Sequence, residues 1–232
     1  MTLISFFGNA LTAYGPALAV FLLYVARNAQ LVILLMTSAF FWLLSILFSS
    51  VFWYLIKPLQ NVPVGTIFVA VTLQELFRFL FFKLMSKAEK GLNIIAKTPN
   101  SPLNRPANAF VTGLGFGIMS GLTLYLSQLA ESAGPAILAC NSCPGMDVFF
   151  VGALTTCLFI FLHSVWNMVA FDGWYRGQWL PFGFVMISHY AASYGTLLTP
   201  SSIEYGCAIA LLIDFVILIV CTTLAVRPIL VS

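Results

Sequence analysis

Only two histidines occur in this sequence, His163 and His189, and both lie inside long apolar stretches. Glu75 and Arg78, with Gln74 beside them, stand in a similar run of leucine, phenylalanine and valine. Ionisable groups at bilayer depth are costly, so they turn toward a protein interior and find partners there. On a helix Gln74 and Arg78 are spaced i, i+4 and Glu75 and Arg78 i, i+3, so all three can meet on one face. His163 and Asn167 repeat the i, i+4 spacing, as do His189 and Ser193. On the spans counted below, Glu75, Arg78, His163 and His189 fall within roughly 6 Å of one another in depth, at a rise of about 1.5 Å per residue.

Three chemistries fit this set. A glutamate with two histidines could hold a metal or activate a water. Ser120 with either histidine could supply a nucleophile and its base, as in intramembrane serine proteases. The same groups could instead hydrogen-bond across helices, each bond worth roughly 1 kcal/mol, and fix which helix faces which. Against a metal, no span carries His-x-x-x-His or Glu-x-x-His, and no second carboxylate stands near Glu75. Against a serine nucleophile, Gly117-Ile118-Met119 precedes Ser120, so the Gly-x-Ser-Gly turn of rhomboid proteases is missing. The expectation is therefore no catalytic residue, no metal and no cofactor. Asp214, a lone acid further on, is expected to make an inward hydrogen bond.

The elements that hold these groups follow from composition. At 61% hydrophobic and 7% charged residues, the chain has more apolar surface than any soluble core could enclose. Seven apolar segments approach the roughly 20 residues of a membrane-crossing helix, over about 3–25, 31–56, 63–85, 107–129, 148–170, 180–199 and 204–226. The fold class expected is a single all-α membrane domain over residues 1–232. Met1-Thr2-Leu3-Ile4 lacks the basic n-region of a signal peptide, so the first segment is kept as a helix. Alternating the connections puts Arg27, Lys83, Lys87, Lys90, Lys97, Arg105, Arg176 and Arg227 on one side and only Lys57 on the other. By the positive-inside rule the N-terminus is luminal or extracellular and the C-terminus cytoplasmic. The net charge of +3 points to no nucleic acid. The basic 86–106 stretch, with Thr98-Pro99, Ser101-Pro102 and Arg105-Pro106, reads as a loop that fixes topology and could meet a partner or anionic lipid headgroups.

Gly113, Gly117 and Gly121 recur every four residues and form one flat stripe on a helix, with Ser120 beside it. Such a face lets another backbone come close, which holds helices together in lipid. Cys157, Cys207 and Cys221 fall in spans and read as apolar fillers. Cys140 and Cys143 lie in a luminal connection, where a disulfide staple and two free thiols both fit.

Several motifs in order resemble one family, the anterior-pharynx-defective subunit of γ-secretase. They are Phe6-Phe7-Gly8, Tyr14-Gly15-Pro16-Ala17-Leu18-Ala19, Ala39-Phe40-Phe41-Trp42-Leu43, Leu73-Gln74-Glu75-Leu76-Phe77-Arg78-Phe79, Lys87-Ala88-Glu89-Lys90-Gly91-Leu92, the glycine stripe, Leu162-His163-Ser164-Val165-Trp166 and Ser188-His189. The resemblance implies a non-catalytic scaffold of seven helices. Its partners would be a presenilin-type catalytic subunit, nicastrin, the presenilin enhancer subunit and membrane lipid. It would act in the endoplasmic reticulum, Golgi and plasma membrane, in a protease that cuts stubs of type I proteins such as Notch and the amyloid precursor protein. The resemblance also implies that Gly113, Gly117 and Gly121 serve assembly. It implies that His163 and His189 support assembly and activity beside a polar cavity for the presenilin C-terminal end.

A fainter similarity is to the type II CAAX prenyl proteases, an intramembrane hydrolase alternative. Phe159 to His163 fits one of their motifs, but Leu73 and Gln74 stand where paired glutamates would be, and the last motif reads His189 to Ser193. Without that carboxylate pair the general base is missing. A transporter using the same groups as a pathway would be expected to show internal repeats, and none stands out.

Overall fold

Two polar breaks show how this chain starts its helices. The side chain of Asn28 accepts the backbone N–H of Gln30, and that of Asp147 accepts the N–H of Phe149, each satisfying a donor that a helix leaves open in its first turn. The computed structural model describes residues 3–95, 101, 103–134 and 138–231. It contains helices α1 (Leu3–Val20, continued by a π turn over Phe21–Val25), α2 (Ala29–Leu55), α3 (Pro63–Ile95), α4 (Asn104–Glu131), α5 (Val148–Tyr175), α6 (Leu180–Gly195) and α7 (Gly206–Val231). A hairpin of β1 (Ala139–Cys140) and β2 (Cys143–Asp147) lies between α4 and α5.

Among the described residues, six of the seven helices are long and apolar enough to cross a membrane; α6 is the exception. Its 16 residues reach about 24 Å at 1.5 Å per residue, short of the roughly 30 Å hydrocarbon layer. A 3-10 turn over Thr196–Leu198 follows it, so the 180–199 segment is not one continuous α-helix.

The 86–106 stretch departs further from its reading as a loop. Lys87, Ala88, Glu89 and Lys90 end the apolar run but favour helix, so α3 continues to Ile95. Arg105 and Pro106 belong to the first turn of α4, where a proline's missing N–H leaves no bond unmade. Lys97, Thr98, Pro99 and Pro102 lie outside the described residues.

Helix α4 is the most buried span and sits between α5 and α2. Helix α5 also meets α1, α6 and α7, while α3 bridges α2 and α6. On the outer helices large apolar side chains such as Ile4, Leu23, Met36 and Leu212 stay exposed. In lipid that exposure carries no hydrophobic penalty.

The hairpin corrects the cysteine reading. The disulfide joins Cys143 to Cys207, whose Cα atoms are 6.1 Å apart, while Cys140 and Cys221 are buried free thiols. Spacing along a chain does not give connectivity. Here Ser142 decides it: its hydroxyl donates to the Thr199 carbonyl at 2.8 Å and accepts the Cys207 N–H at 3.0 Å, while its carbonyl accepts the Tyr205 N–H at 2.9 Å. These bonds fold the hairpin onto the start of α7. Closing a separation of 64 residues restricts the unfolded chain by about 4 kcal/mol. Ser142→Ala removes two of the three bonds and is expected to lower unfolding stability by about 2 kcal/mol. An unchanged melting curve in mild detergent would remove Ser142 as the organiser of this end.

Candidate functional site

The α3 face that carries Gln74, Glu75 and Arg78 turns inward; Glu75 and Arg78 are 1% and 0% exposed. Arg78 Nε donates to both Glu75 carboxylate oxygens, at 3.1 and 3.0 Å. Its Nη1 donates to the His163 carbonyl at 3.3 Å and, over a short distance, to Asn167 Oδ1. Its Nη2 reaches His163 Nδ1 at 3.1 Å, and the guanidinium lies 5.2 Å from the centre of the Phe116 ring. Thus α3 supplies the ion pair and α5 supplies three acceptors to a single arginine.

The tautomers follow from donor chemistry. A guanidinium can only donate, so His163 Nδ1 accepts and its ring is neutral with the proton on Nε2. His189 Nδ1 sits 2.7 Å from Glu75 Oε1, an oxygen of the carboxylate that pairs with Arg78, so His189 donates there. The two imidazoles meet edge to face at 5.2 Å, and the indole of Trp166 stacks on His189 at 4.3 Å. Gln74 lies on the α2 side and accepts from the Trp42 indole at 3.1 Å. Asn167 donates its amide to Thr112 of α4 at 3.0 Å. One polar network therefore joins α3, α4, α5 and α6, and the Gln74–Trp42 bond beside it ties α3 to α2.

The network leaves little room for chemistry. Both Glu75 oxygens are engaged by Arg78, and one also by His189, so no free carboxylate oxygen faces a water. Among the described residues no three His, Cys, Asp or Glu side chains converge into a metal-binding group. Ser120 is buried but bonds to neither histidine, and Ser193 contributes only its carbonyl, to Thr196. Asp214 is buried on α7, yet among the described residues neither of its oxygens has a hydrogen-bond partner, so the expected inward bond is not made there.

The glycine stripe faces α5 of the same chain. A Cβ on Gly113 would stand 2.5 Å from Ser164 Cα and 2.6 Å from the His163 carbonyl; one on Gly117 would strike the Ile160 backbone; one on Gly121 would meet Thr156 Cγ2 at 2.9 Å. This close approach places Thr112 against Asn167. Gly115, off the stripe, gives the same access to Leu35 and Ser38 of α2, so α4 is pressed from two sides. Sequence reasoning missed Gly115, Trp42 and Thr112 as parts of the site. The signals were a fourth glycine in 113–121 and an indole N–H in an apolar run.

A separate cavity of about 390 Å³ opens where α2, α3, α4 and α5 end, lined by Gln30, Glu89, Asn93, Asn104, Arg105 and Asn108 among others. Arg105 pairs there with Glu89 at 2.6 Å and covers the Tyr175 ring at 4.3 Å. Neither histidine lines this cavity.

Two substitutions test the packing and the network. Gly117→Ala is expected to destabilise the chain by about 1–3 kcal/mol through overpacking, whereas Gly91→Ala, with nothing within 4 Å, costs nothing. Equal melting temperatures for the two would show that α4 and α5 are not held at glycine distance. Arg78→Leu strands a buried carboxylate and is expected to cost about 3–5 kcal/mol, part of it regained in the Glu75→Leu, Arg78→Leu double variant. A double variant no better than the single one would mean that the histidine and asparagine bonds, rather than the ion pair, carry the stability.

The family described as Aph-1 protein matches residues 4–231. The chain is 38% identical over 209 residues to gamma-secretase subunit APH-1B of Mus musculus, covering 86% of this chain and 80% of that one. It is 34% identical over 228 residues to gamma-secretase subunit Aph-1 of Drosophila melanogaster, covering 98% and 93%. A plant relative, gamma-secretase subunit APH1-like of Arabidopsis thaliana, is 30% identical over 217 residues, covering 90% and 86%. An integral membrane protein by its six apolar helices, the chain belongs to the Aph-1 family.

Proposed function

We propose that this chain is a non-catalytic scaffold subunit of a γ-secretase-type intramembrane protease. The observation that carries the reading is the polar network: the carboxylate, guanidinium and imidazole groups that could have done chemistry bind one another across α3, α5 and α6, and Asn167–Thr112 and Gln74–Trp42 bonds tie in α4 and α2. Its relatives are named as subunits of γ-secretase, which agrees with a role inside a complex. On this reading the residues 1–232 form one domain that crosses the membrane seven times. The short α6 completes its crossing with the turn that follows it, the N-terminus is luminal and the C-terminus cytoplasmic. The chain assembles with a presenilin-type catalytic subunit, nicastrin and the presenilin enhancer subunit, and travels through endoplasmic reticulum, Golgi and plasma membrane. The complex cuts stubs of type I membrane proteins such as Notch and the amyloid precursor protein.

The stripe and the histidines then serve assembly through the chain's own fold. Gly113, Gly117 and Gly121 seat α5, and Gln74, Glu75, Arg78, His163, Asn167 and His189 fix the positions of α3, α5 and α6, so partners meet one rigid surface. The cavity around Arg105 suits the presenilin C-terminal end, and the exposed Lys87, Lys90 and Arg176 at the same end suit anionic lipid headgroups.

The experiment is affinity purification of the chain from membranes in mild detergent, with co-purifying proteins identified and cleavage of a transmembrane stub assayed. Presenilin-like and nicastrin-like chains are expected, with cleavage lost when they are stripped away. His163→Ala and His189→Ala are expected to reduce recovery of the complex several-fold, with turnover per recovered complex preserved. Full assembly without turnover would assign the histidines to the reaction, and a chain that elutes alone and cuts would overturn the scaffold reading.

A further inference from the structure

Three cysteines share one buried cluster at the hairpin end of the bundle. Cys140, Cys143 and Cys207 pack together with Val151 and Met146 beside them. Cys143 holds the central place. It is bridged to Cys207 at a Cα separation of 6.1 Å, and it is also the cross-strand partner of Cys140 in the β1–β2 ladder. Directly opposed residues of an antiparallel pair have Cα atoms about 4.5–5.5 Å apart. That lies within the 4.4–6.8 Å range of Cα separations found across disulfides. Cys143 therefore has two partners in reach, and only one of them is bonded.

We infer that Cys140, Cys143 and Cys207 form an internal disulfide-exchange site, which rests on the luminal placement proposed above. The Cys140 thiolate attacks the Cys143 sulfur; the Cys143–Cys207 bond breaks as the Cys140–Cys143 bond forms, and Cys207 leaves as a thiolate. The proton lost by Cys140 is matched by the one taken up by Cys207, so the step needs no oxidant, reductant or net proton.

The surroundings favour the leaving end of this step. The Cys140 sulfur lies 3.5 Å from the Thr199 carbonyl, to which it donates, and 3.5 Å from the Ser142 hydroxyl. Cys207 is the second residue of α7, so its leaving sulfur sits at the positive end of a helix dipole. Cys140 is 2% exposed, which shields it from external thiols but not from Cys143 in the same cluster. The consequence is mechanical. In the observed state a covalent bond ties the α4–α5 connection to α7 across 64 residues; after exchange the bond lies wholly within the hairpin, and hydrogen bonds from Ser142 and Asn141 are left to hold the two connections together.

The test uses the full chain in sealed membrane vesicles, equilibrated in glutathione buffers of different poise, acid-quenched, alkylated and mapped by mass spectrometry without reduction. Wild type is expected to yield both bridged peptides, in a ratio that stays constant across poises because exchange consumes no electrons. Cys207→Ser is expected to shift the bridge to Cys140–Cys143 in most molecules, and Cys140→Ser to leave Cys143–Cys207 alone. A wild type that gives only Cys143–Cys207, with Cys207→Ser leaving Cys140 and Cys143 as thiols, overturns the exchange and spares the topology. If all three thiols are reduced and a membrane-impermeant maleimide labels them from the cytoplasmic face, the topology falls and the exchange with it.

Discussion

A guanidinium cannot shed its charge inside a membrane, so Arg78 requires an acceptor set that is complete before the bundle is stable. Glu75 provides the counter-charge from the same helix, but one carboxylate leaves both terminal nitrogens unsatisfied. The remaining acceptors, the His163 carbonyl and ring and the Asn167 amide oxygen, all come from α5. Helix α5 must therefore lie against α3 in one rotation and at one depth. The requirement then spreads outward: His189 brings α6 to the shared carboxylate, and Asn167 passes the constraint to Thr112 on α4.

Glycine makes the last link possible. Thr112 reaches Asn167 only because Gly113 and Gly117 let the α4 backbone lie against that of α5, where any Cβ would strike Ser164 or Ile160. The stripe and the network are two parts of one device. Dispersion across the glycine face draws the helices together without direction, and the polar bonds select one register among the many that a smooth face would accept. A bundle held by either alone would slide or separate. Because the two are coupled, changing one residue of either part shifts the packing of α3, α4 and α5 together.

Much of this was legible in the chain. The i, i+3 spacing of Glu75 and Arg78 put the pair on one helix face, and the apolar lengths put both histidines at nearly the same depth. Long-range choices were less visible. Gln74 turned to Trp42 because a buried indole N–H needs an acceptor, and no spacing announces which amide will supply it. Cys143 found Cys207 because Ser142 folds the hairpin over, a contact between residues 65 apart. Helix limits were misjudged where apolarity and helix propensity part company. Lys87, Glu89 and Lys90 end a membrane span without ending a helix, and α6 breaks into a tighter turn inside a stretch that reads as one apolar segment.

The two halves of the bundle are secured differently, and the difference follows from their surroundings. Near the middle, where water is scarce, stability depends on saturating charged groups with one another, because a single unmet acceptor is costly. At the hairpin end, connections rather than spans are joined, by three hydrogen bonds through one serine and by a covalent bridge. In the central network Glu75, Arg78 and Asn167 are each bonded to other members, and moving one strands another. The hairpin end has an alternative, since Cys143 stands between two sulfurs. On the exchange inferred above, adjustment of the bundle belongs to the hairpin end, where a bond can change partners without exposing a charge, while the buried Glu75–Arg78 pair keeps its partners.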